Sequence, residues 1–159
     1  MRLKTNVIIT AVLALTLVAL TAPRIYSHCE IPCGIYDDNA RLKLMAEDIE
    51  TIEKSMNEIN RLSAEGDKNY NQLIRWVVNK ENHAEKLTEI ITGYFMSQRV
   101  KVPAEGDSKA QEKYVEQLTL LHKMIVEAMK ATQTTDLEHV KSLRKLLKEF
   151  EKAYHGHTH

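Results

Sequence analysis

A histidine and two cysteines lie close together near the amino end of the chain. The stretch 28–36 reads HCEIPCGIY, and Cys29 and Cys33 are the two cysteines of the whole sequence. Two thiols at this distance can form a disulfide, or they can bind a transition metal together with the imidazole of His28. A disulfide here would close a very small loop, and small loops give the least entropic benefit to the folded state.

Cleavage of the chain before His28 would make this stretch a richer set of metal ligands. One short loop would then hold a free α-amine, an imidazole, the backbone amide of Cys29 and two thiols. Nitrogen and sulfur donors of this kind can surround a metal in a square plane, which favours nickel(II) or copper(II) over zinc. Anionic thiolates and a deprotonated amide also stabilise nickel(III), so the ligand set suits a redox metal. The disulfide remains open as the alternative.

Residues 1–27 have the pattern of a cleaved leader or signal peptide. Arg2 and Lys4 form a positive start, and Val7 to Ala22 is an apolar run without charge. The run is shorter than the roughly 20 residues of a membrane-spanning helix, so no stable membrane anchor is expected. Cleavage after Ser27 is favoured and would make His28 the N-terminus. We expect export to the periplasm or the cell exterior, or alternatively a cytoplasmic protein with a processed propeptide.

The composition after the leader is that of helices. The chain has only five Gly, three Pro and two Phe, whereas Leu, Ile, Met, Ala, Glu and Lys are abundant and favour helices over sheets. The 22 basic and 22 acidic residues are interspersed, so no basic stripe predicts binding to nucleic acid.

Four segments carry apolar residues at helical spacing, which predicts four amphipathic helices. The first ends near the turn at 65–67, the second runs from about Tyr70 to Gln98, the third ends at about Lys130, and the fourth ends before Gly156. The apolar positions are Leu42, Met45, Ile49, Ile52, Met56 and Ile59; Leu73, Val77, Ala84, Leu87, Ile91 and Tyr94; Tyr114, Leu118, Leu121, Ile125 and Ala128; and Leu137, Val140, Leu143, Leu147, Phe150 and Tyr154.

Short connections between such helices favour an all-α, antiparallel up-down four-helix bundle. Pro32 and Gly34 interrupt the pattern before it, so residues 28–39 form an irregular N-terminal segment, the hook. The bundle then spans 40–155, and 156–159 is a His-containing tail. Thr135 and Glu138 have the spacing of a capping box that would start the fourth helix.

The sequence HCEIPCGIYDD, behind a cleavable leader and ahead of four helices, resembles the nickel-hook signature H-C-x-x-P-C-G-x-Y of the nickel superoxide dismutases, with likeness to about Tyr154. This resemblance implies that the amine and imidazole of His28, the amide and thiolate of Cys29 and the thiolate of Cys33 bind one nickel ion per subunit. It implies that Tyr36 acts as a gate and hydrogen bonder beside the open face rather than as a ligand. It also implies a homohexamer.

The activity that the resemblance implies is disproportionation of superoxide to oxygen and hydrogen peroxide by Ni(III)/Ni(II) cycling, as an antioxidant defence. A maturation protease and a nickel donor would be needed, and the sequence does not identify either one. Two other classes stay open on the residues alone. These are a nickel or copper carrier without catalysis, and a structural helical module with a disulfide-closed N-terminus.

Some residues depart from the family pattern or invite other readings. Lys43 stands where the best-known members carry a glutamate that steadies the axial imidazole, and Glu47 is a candidate replacement one turn later. Arg75 is interpreted as surface charge. The helical histidines are expected to be solvated or at the core edge, and those of the tail either belong to a frayed terminus or assist nickel loading; they are His83, His122 and His139, and His155, His157 and His159.

Overall fold

The computed structural model describes residues 33–66 and 68–156, so the predicted leader, His28 and Cys29 lie outside the described residues. Within these ranges the chain forms helices and no strand. The elements are α1 (Asp38–Ala64), α2 (Tyr70–Glu89), a π-helical segment (Ile90–Arg99), α3 (Ser108–Gln133) and α4 (Glu138–His155). Consecutive helices pack side by side, and α1 also packs against α4. The predicted all-α four-helix bundle is confirmed.

Helix α1 begins where the chain provides a cap. The Asp37 carboxylate accepts a hydrogen bond from the Ala40 N–H at 2.9 Å, which satisfies one of the free donors of the first turn. The last two residues of the hook, Asp38 and Asn39, are therefore already helical, two residues earlier than the predicted start of the bundle. The apolar stripe predicted for this helix is buried along its whole length.

The predicted second helix is present, but its last ten residues have π-helical geometry. The backbone N–H of Val100 donates to the Phe95 carbonyl five residues earlier at 2.8 Å, and the side-chain amide of Gln98 donates to the Gly93 carbonyl at 2.7 Å. These wide turns bring residues five apart onto the same side. Apolar spacing alone predicted a continuous helix here and could not separate the two geometries.

Two phenylalanines lie at the centre of the core. Phe95, from the π-helical segment, and Phe150, from α4, are both fully buried. Their rings meet edge to face, with centroids 5.0 Å apart and planes at 82°, an arrangement that aromatic quadrupoles favour. The π-helical segment is thus fixed to α4 through the middle of the bundle.

The predicted capping box before the fourth helix is wrong. Helix α4 begins at Glu138 after Leu137, which makes no side-chain cap. Instead, the Asp136 carboxylate accepts from the Glu138 N–H at 2.9 Å, and the Thr134 hydroxyl accepts from the Asp136 N–H at 3.0 Å. Short Asp and Thr side chains that accept hydrogen bonds from the backbone N–H two residues later form turns of this kind. Such a turn takes the place of the predicted capping box.

A buried lysine links α2 to the end of α3. The Lys80 ammonium donates to the carbonyls of Thr132 at 2.7 Å and Thr134 at 2.9 Å. Carbonyls at a helix C-terminus lack partners within the helix and attract positive charge. Burial lowers the pKa of Lys80, so the charged form of the ammonium relies on its hydrogen bonds to these two carbonyls.

Among the helices of the described ranges, none is both long and apolar enough to cross a membrane.

Candidate metal centre

Cys33 lies in the irregular segment that leads into α1. Its side chain is exposed, and Gly34 follows with a φ of 77°, a conformation that glycine adopts without steric cost. The structure thus places one of the three predicted metal ligands, Cys33, just before the N-terminus of α1. The other two, His28 and Cys29, lie outside the described residues.

Tyr36, the predicted gate, rests against the π-helical segment. Its ring meets the Tyr94 ring edge to face with centroids 6.0 Å apart, and the guanidinium carbon of Arg99 lies 4.4 Å from the Tyr36 ring centroid. Such a distance permits a cation–π contact. The Tyr36 side chain remains 41% exposed. The ring is therefore held on one side and open to solvent on the other, three residues after Cys33.

A carboxylate beneath Tyr36 joins three parts of the bundle. Asp38 accepts two hydrogen bonds from Arg99, one from Nε to Oδ1 and one from a terminal nitrogen to Oδ2, both at 2.7 Å. It also accepts from the Tyr94 hydroxyl at 2.6 Å and from the Tyr154 hydroxyl at 2.8 Å. We call Asp38, Tyr94, Arg99 and Tyr154 the Asp38 cluster. Each carboxylate oxygen accepts two bonds, so the orientation of the group is fully specified.

The electrostatics of the cluster favour one protonation state. The hydrogen bonds from Arg99, and with smaller effect those from Tyr94 and Tyr154, together lower the pKa of Asp38 to about 2 against the opposing effect of burial. Burial and the bond to Asp38 raise the pKa of Tyr94 and of Tyr154 to about 12. At neutral pH the carboxylate is charged and both phenols keep their protons.

Stability at low pH tests this arrangement. Because the folded pKa of Asp38 lies below the unfolded value, the cluster stabilises the protein above about pH 4, and this contribution is lost as the pH falls toward 2. We expect Asp38→Asn to be less stable than the parent at pH 7, and the gap in free energy of unfolding to narrow by about 2 kcal/mol between pH 6 and pH 2. Urea unfolding followed by circular dichroism measures the gap.

Tyr154→Phe provides a graded comparison, since it removes one of the hydrogen bonds to Asp38 and leaves the guanidinium in place. The part of the stability that titrates with Asp38 should be smaller in this variant than in the parent, and absent in Asp38→Asn. A gap between the parent and Asp38→Asn that stays constant from pH 6 to pH 2 would contradict the assigned shift.

Aromatic contacts connect the Asp38 cluster to the hydrophobic core. The Tyr94 and Phe95 rings are 5.1 Å apart, and the Phe95 and Tyr154 rings are 5.5 Å apart. Both pairs meet edge to face at 83°. The two tyrosines that hold Asp38 are thus positioned by one buried phenylalanine, and the position of Tyr36 depends on the core through them.

The remaining predicted residues lie elsewhere. Glu47 forms an exposed pair with Lys43, with 4.0 Å between the ammonium nitrogen and the carboxylate oxygen, and Arg75 is exposed on α2. His83 bonds to Asp48 and His139 bonds to Glu127, at 2.7 and 2.8 Å, which agrees with a location at the core edge. Over residues 33–66 and 68–156, no group of three or more His, Cys, Asp or Glu side chains could hold a metal ion.

Most of the Asp38 cluster was missed by the sequence analysis. Tyr94 and Tyr154 were predicted only as core positions, and neither Asp38 nor Arg99 was singled out. One available signal was the placement of Tyr94 and Tyr154 on apolar stripes, since a buried phenol needs a hydrogen-bond partner. No spacing rule could have connected Arg99 to Asp38, which is 61 residues away along the chain.

Comparison with known proteins identifies a family for the chain. The family model for nickel-containing superoxide dismutase matches residues 23–158, which is most of the chain. Searches of curated proteins and of solved structures found no match. The family match confirms the predicted superoxide dismutase activity, the oxidoreductase class and the nickel cofactor. By this match over most of its length, the chain belongs to the nickel-containing superoxide dismutase family.

Proposed function

We propose that nickel is held by the amine and imidazole of His28, the amide and thiolate of Cys29 and the thiolate of Cys33, with one ion per chain. The donor chemistry fits the metal, because thiolate and amide nitrogen are the ligands that suit a redox-active nickel ion. The sequence contains no cysteine outside this pair. When bound, nickel supplies the one-electron chemistry that converts superoxide to oxygen and hydrogen peroxide.

The observation that carries the proposal is the location of Cys33. Its exposed side chain lies on the same short segment as Tyr36, whose ring is fixed against Arg99 and Tyr94. A thiolate here is open to a small anion, and an oriented phenol stands three residues away. The bundle thus holds the end of the hook that follows Cys33, and the Cys33 side chain is exposed.

Tyr36 is the gate of this site. Tyr94 and Tyr154 donate their hydroxyl hydrogen bonds to Asp38, so these two hydroxyls already have an acceptor within the protein. The Tyr36 phenol is the more exposed of the three. Its hydroxyl can donate a hydrogen bond to a bound anion, and its ring limits the approach of peroxide to the thiolates, which peroxide would oxidise.

The active assembly is a homohexamer of these bundles. An exposed apolar stripe on α2 supports association, because Tyr70, Ile74 and Val78 follow at steps of four residues and are 58%, 61% and 48% exposed. Side chains four apart lie on one face of a helix. Large apolar residues aligned in this way on a surface are typical of a protein contact.

Residues 1–27 form a leader that is removed before or during nickel loading. The family match begins at residue 23, which leaves the apolar run Val7 to Ala22 outside it. Cleavage after Ser27 is required by the ligand set, because an acylated His28 nitrogen would lose its role as an amine ligand. Export to the periplasm or the cell exterior follows from a signal peptide, and a propeptide removed inside the cell is the alternative.

One sample can test the proposal. Untagged protein from nickel-grown cells should have an intact mass that starts at His28, about one nickel per chain, and superoxide removal above that of free nickel. Native mass spectrometry on the same sample should give six chains. A protein that retains residues before His28 yet binds nickel with full activity would refute the amine ligand. A metal-free, disulfide-bonded and inactive protein would refute the whole assignment.

A further inference from the structure

The guanidinium of Arg99 has two roles in the structure. Its edge forms a two-pronged pair with Asp38, with both N–O distances at 2.7 Å, while its carbon atom lies 4.4 Å from the centroid of the Tyr36 ring. A planar guanidinium can make an in-plane fork and a stacked contact together, whereas a lysine ammonium cannot reproduce the fork. The same group therefore joins Tyr36 to the bundle.

The support behind Arg99 is rigid. Its side chain is 25% exposed, and that of its partner Asp38 is 19% exposed. The carboxylate is also held by hydroxyls from the π-helical segment and from α4. Rotation of any side chain in the Asp38 cluster would break hydrogen bonds to the others, so the Arg99 guanidinium is held in one orientation against the Tyr36 ring.

The π-helical geometry places Arg99 where it can act. Tyr94 and Arg99 are five residues apart, the interval over which this segment makes its backbone hydrogen bonds. In an α-helix the bonded interval is four residues, and side chains five apart would diverge around the axis. The wider turn brings both side chains to Asp38 and to Tyr36, where the Tyr94 ring makes an edge-to-face contact and the Arg99 guanidinium lies over the Tyr36 ring.

From this geometry we propose that Arg99 is a positioning residue for the dismutase reaction, which sets the orientation of the Tyr36 ring. This inference rests on the proposed role of Tyr36 as the gate. Arg99 does not need to touch superoxide. Its charge is already paired with Asp38, so its effect passes through the angle at which the phenol meets the substrate.

The test combines a spectroscopic and a kinetic measurement on the nickel-loaded mature protein, which starts at His28, and on its metal-free form. Tyrosines are labelled with 3-fluorotyrosine, and the Tyr36 fluorine resonance is assigned by its loss in Tyr36→Phe. The variants are Arg99→Lys, which keeps the charge without the planar fork, and Arg99→Met. Arg144→Lys serves as the matched control, because Arg144 pairs with Glu53 on the surface.

Both Arg99 variants should move and broaden the Tyr36 resonance while leaving that of Tyr114 in place, and both should lower kcat/KM for superoxide about tenfold. Arg144→Lys should change neither. An unmoved Tyr36 resonance in Arg99→Lys would overturn the inference, as would a moved resonance with unchanged kcat/KM. Failure of the parent protein to dismutate superoxide would instead refute the proposed function, and the metal-free resonance would still report on the contact.

Discussion

Cys33→Ser is expected to abolish nickel binding and activity while leaving the bundle intact. A serine hydroxyl does not ionise at neutral pH and is a hard oxygen donor, so it cannot replace the thiolate in a redox nickel site. Nickel should fall well below one ion per chain, and superoxide removal should fall on the order of a thousandfold or more. Metal analysis and pulse radiolysis on the same preparation measure both quantities.

The fold offers a clear control for this variant. Cys33 is exposed and lies before α1, so thermal unfolding of the metal-free protein should be the same for Cys33→Ser and the parent. Ile35→Ala changes another exposed residue of the same segment, 78% exposed, without removing a ligand, and should retain nickel. Full nickel content in Cys33→Ser would exclude Cys33 as a ligand.

Phe95→Ala is expected to have the largest effect on stability. Its side chain is fully buried and contacts the rings of Tyr94, Phe150 and Tyr154. Truncation of a buried phenylalanine leaves a cavity and typically costs about 3–5 kcal/mol. Chemical denaturation of the metal-free protein should show a loss in this range, which is a large part of the stability of a domain of this size.

Phe95→Leu is the matched variant, since it keeps an apolar side chain of similar volume but loses the edge-to-face ring contacts. It should cost about 1.5 kcal/mol or less. In Phe95→Ala the two tyrosines that hold Asp38 also lose their common support, so the Tyr36 fluorine resonance should broaden as well. A loss below 1 kcal/mol in Phe95→Ala would mean that the core collapses around the gap without cost.

Local sequence determined the helices and the candidate ligands. The apolar residues of α1 recur at steps of three and four, and this pattern suffices because a helix must bury one face. The ligands of the hook were equally readable, since all five proposed donor atoms come from His28, Cys29 and Cys33 within one short stretch. Chemistry supplied by adjacent residues can be recognised without knowledge of the fold.

Helix geometry and caps were less predictable. The start of α4 depends on whether Thr135 or the pair Thr134 and Asp136 bonds to the backbone, and these choices differ little in energy. The π-helical segment Ile90–Arg99 is compatible with the same apolar spacing as an α-helix. Its geometry is set by what the side chains reach on other helices.

The tertiary structure alone decided how the hook is held. Asp38 meets Arg99 across 61 residues and Tyr154 across 116 residues of chain, and no local pattern specifies such pairs. A carboxylate, a guanidinium and two phenols become mutual partners only when burial removes water as the alternative. The sequence by itself therefore determined what the hook can bind. The packing of the π-helical segment and α4 around Asp38 decided the position of the Tyr36 ring.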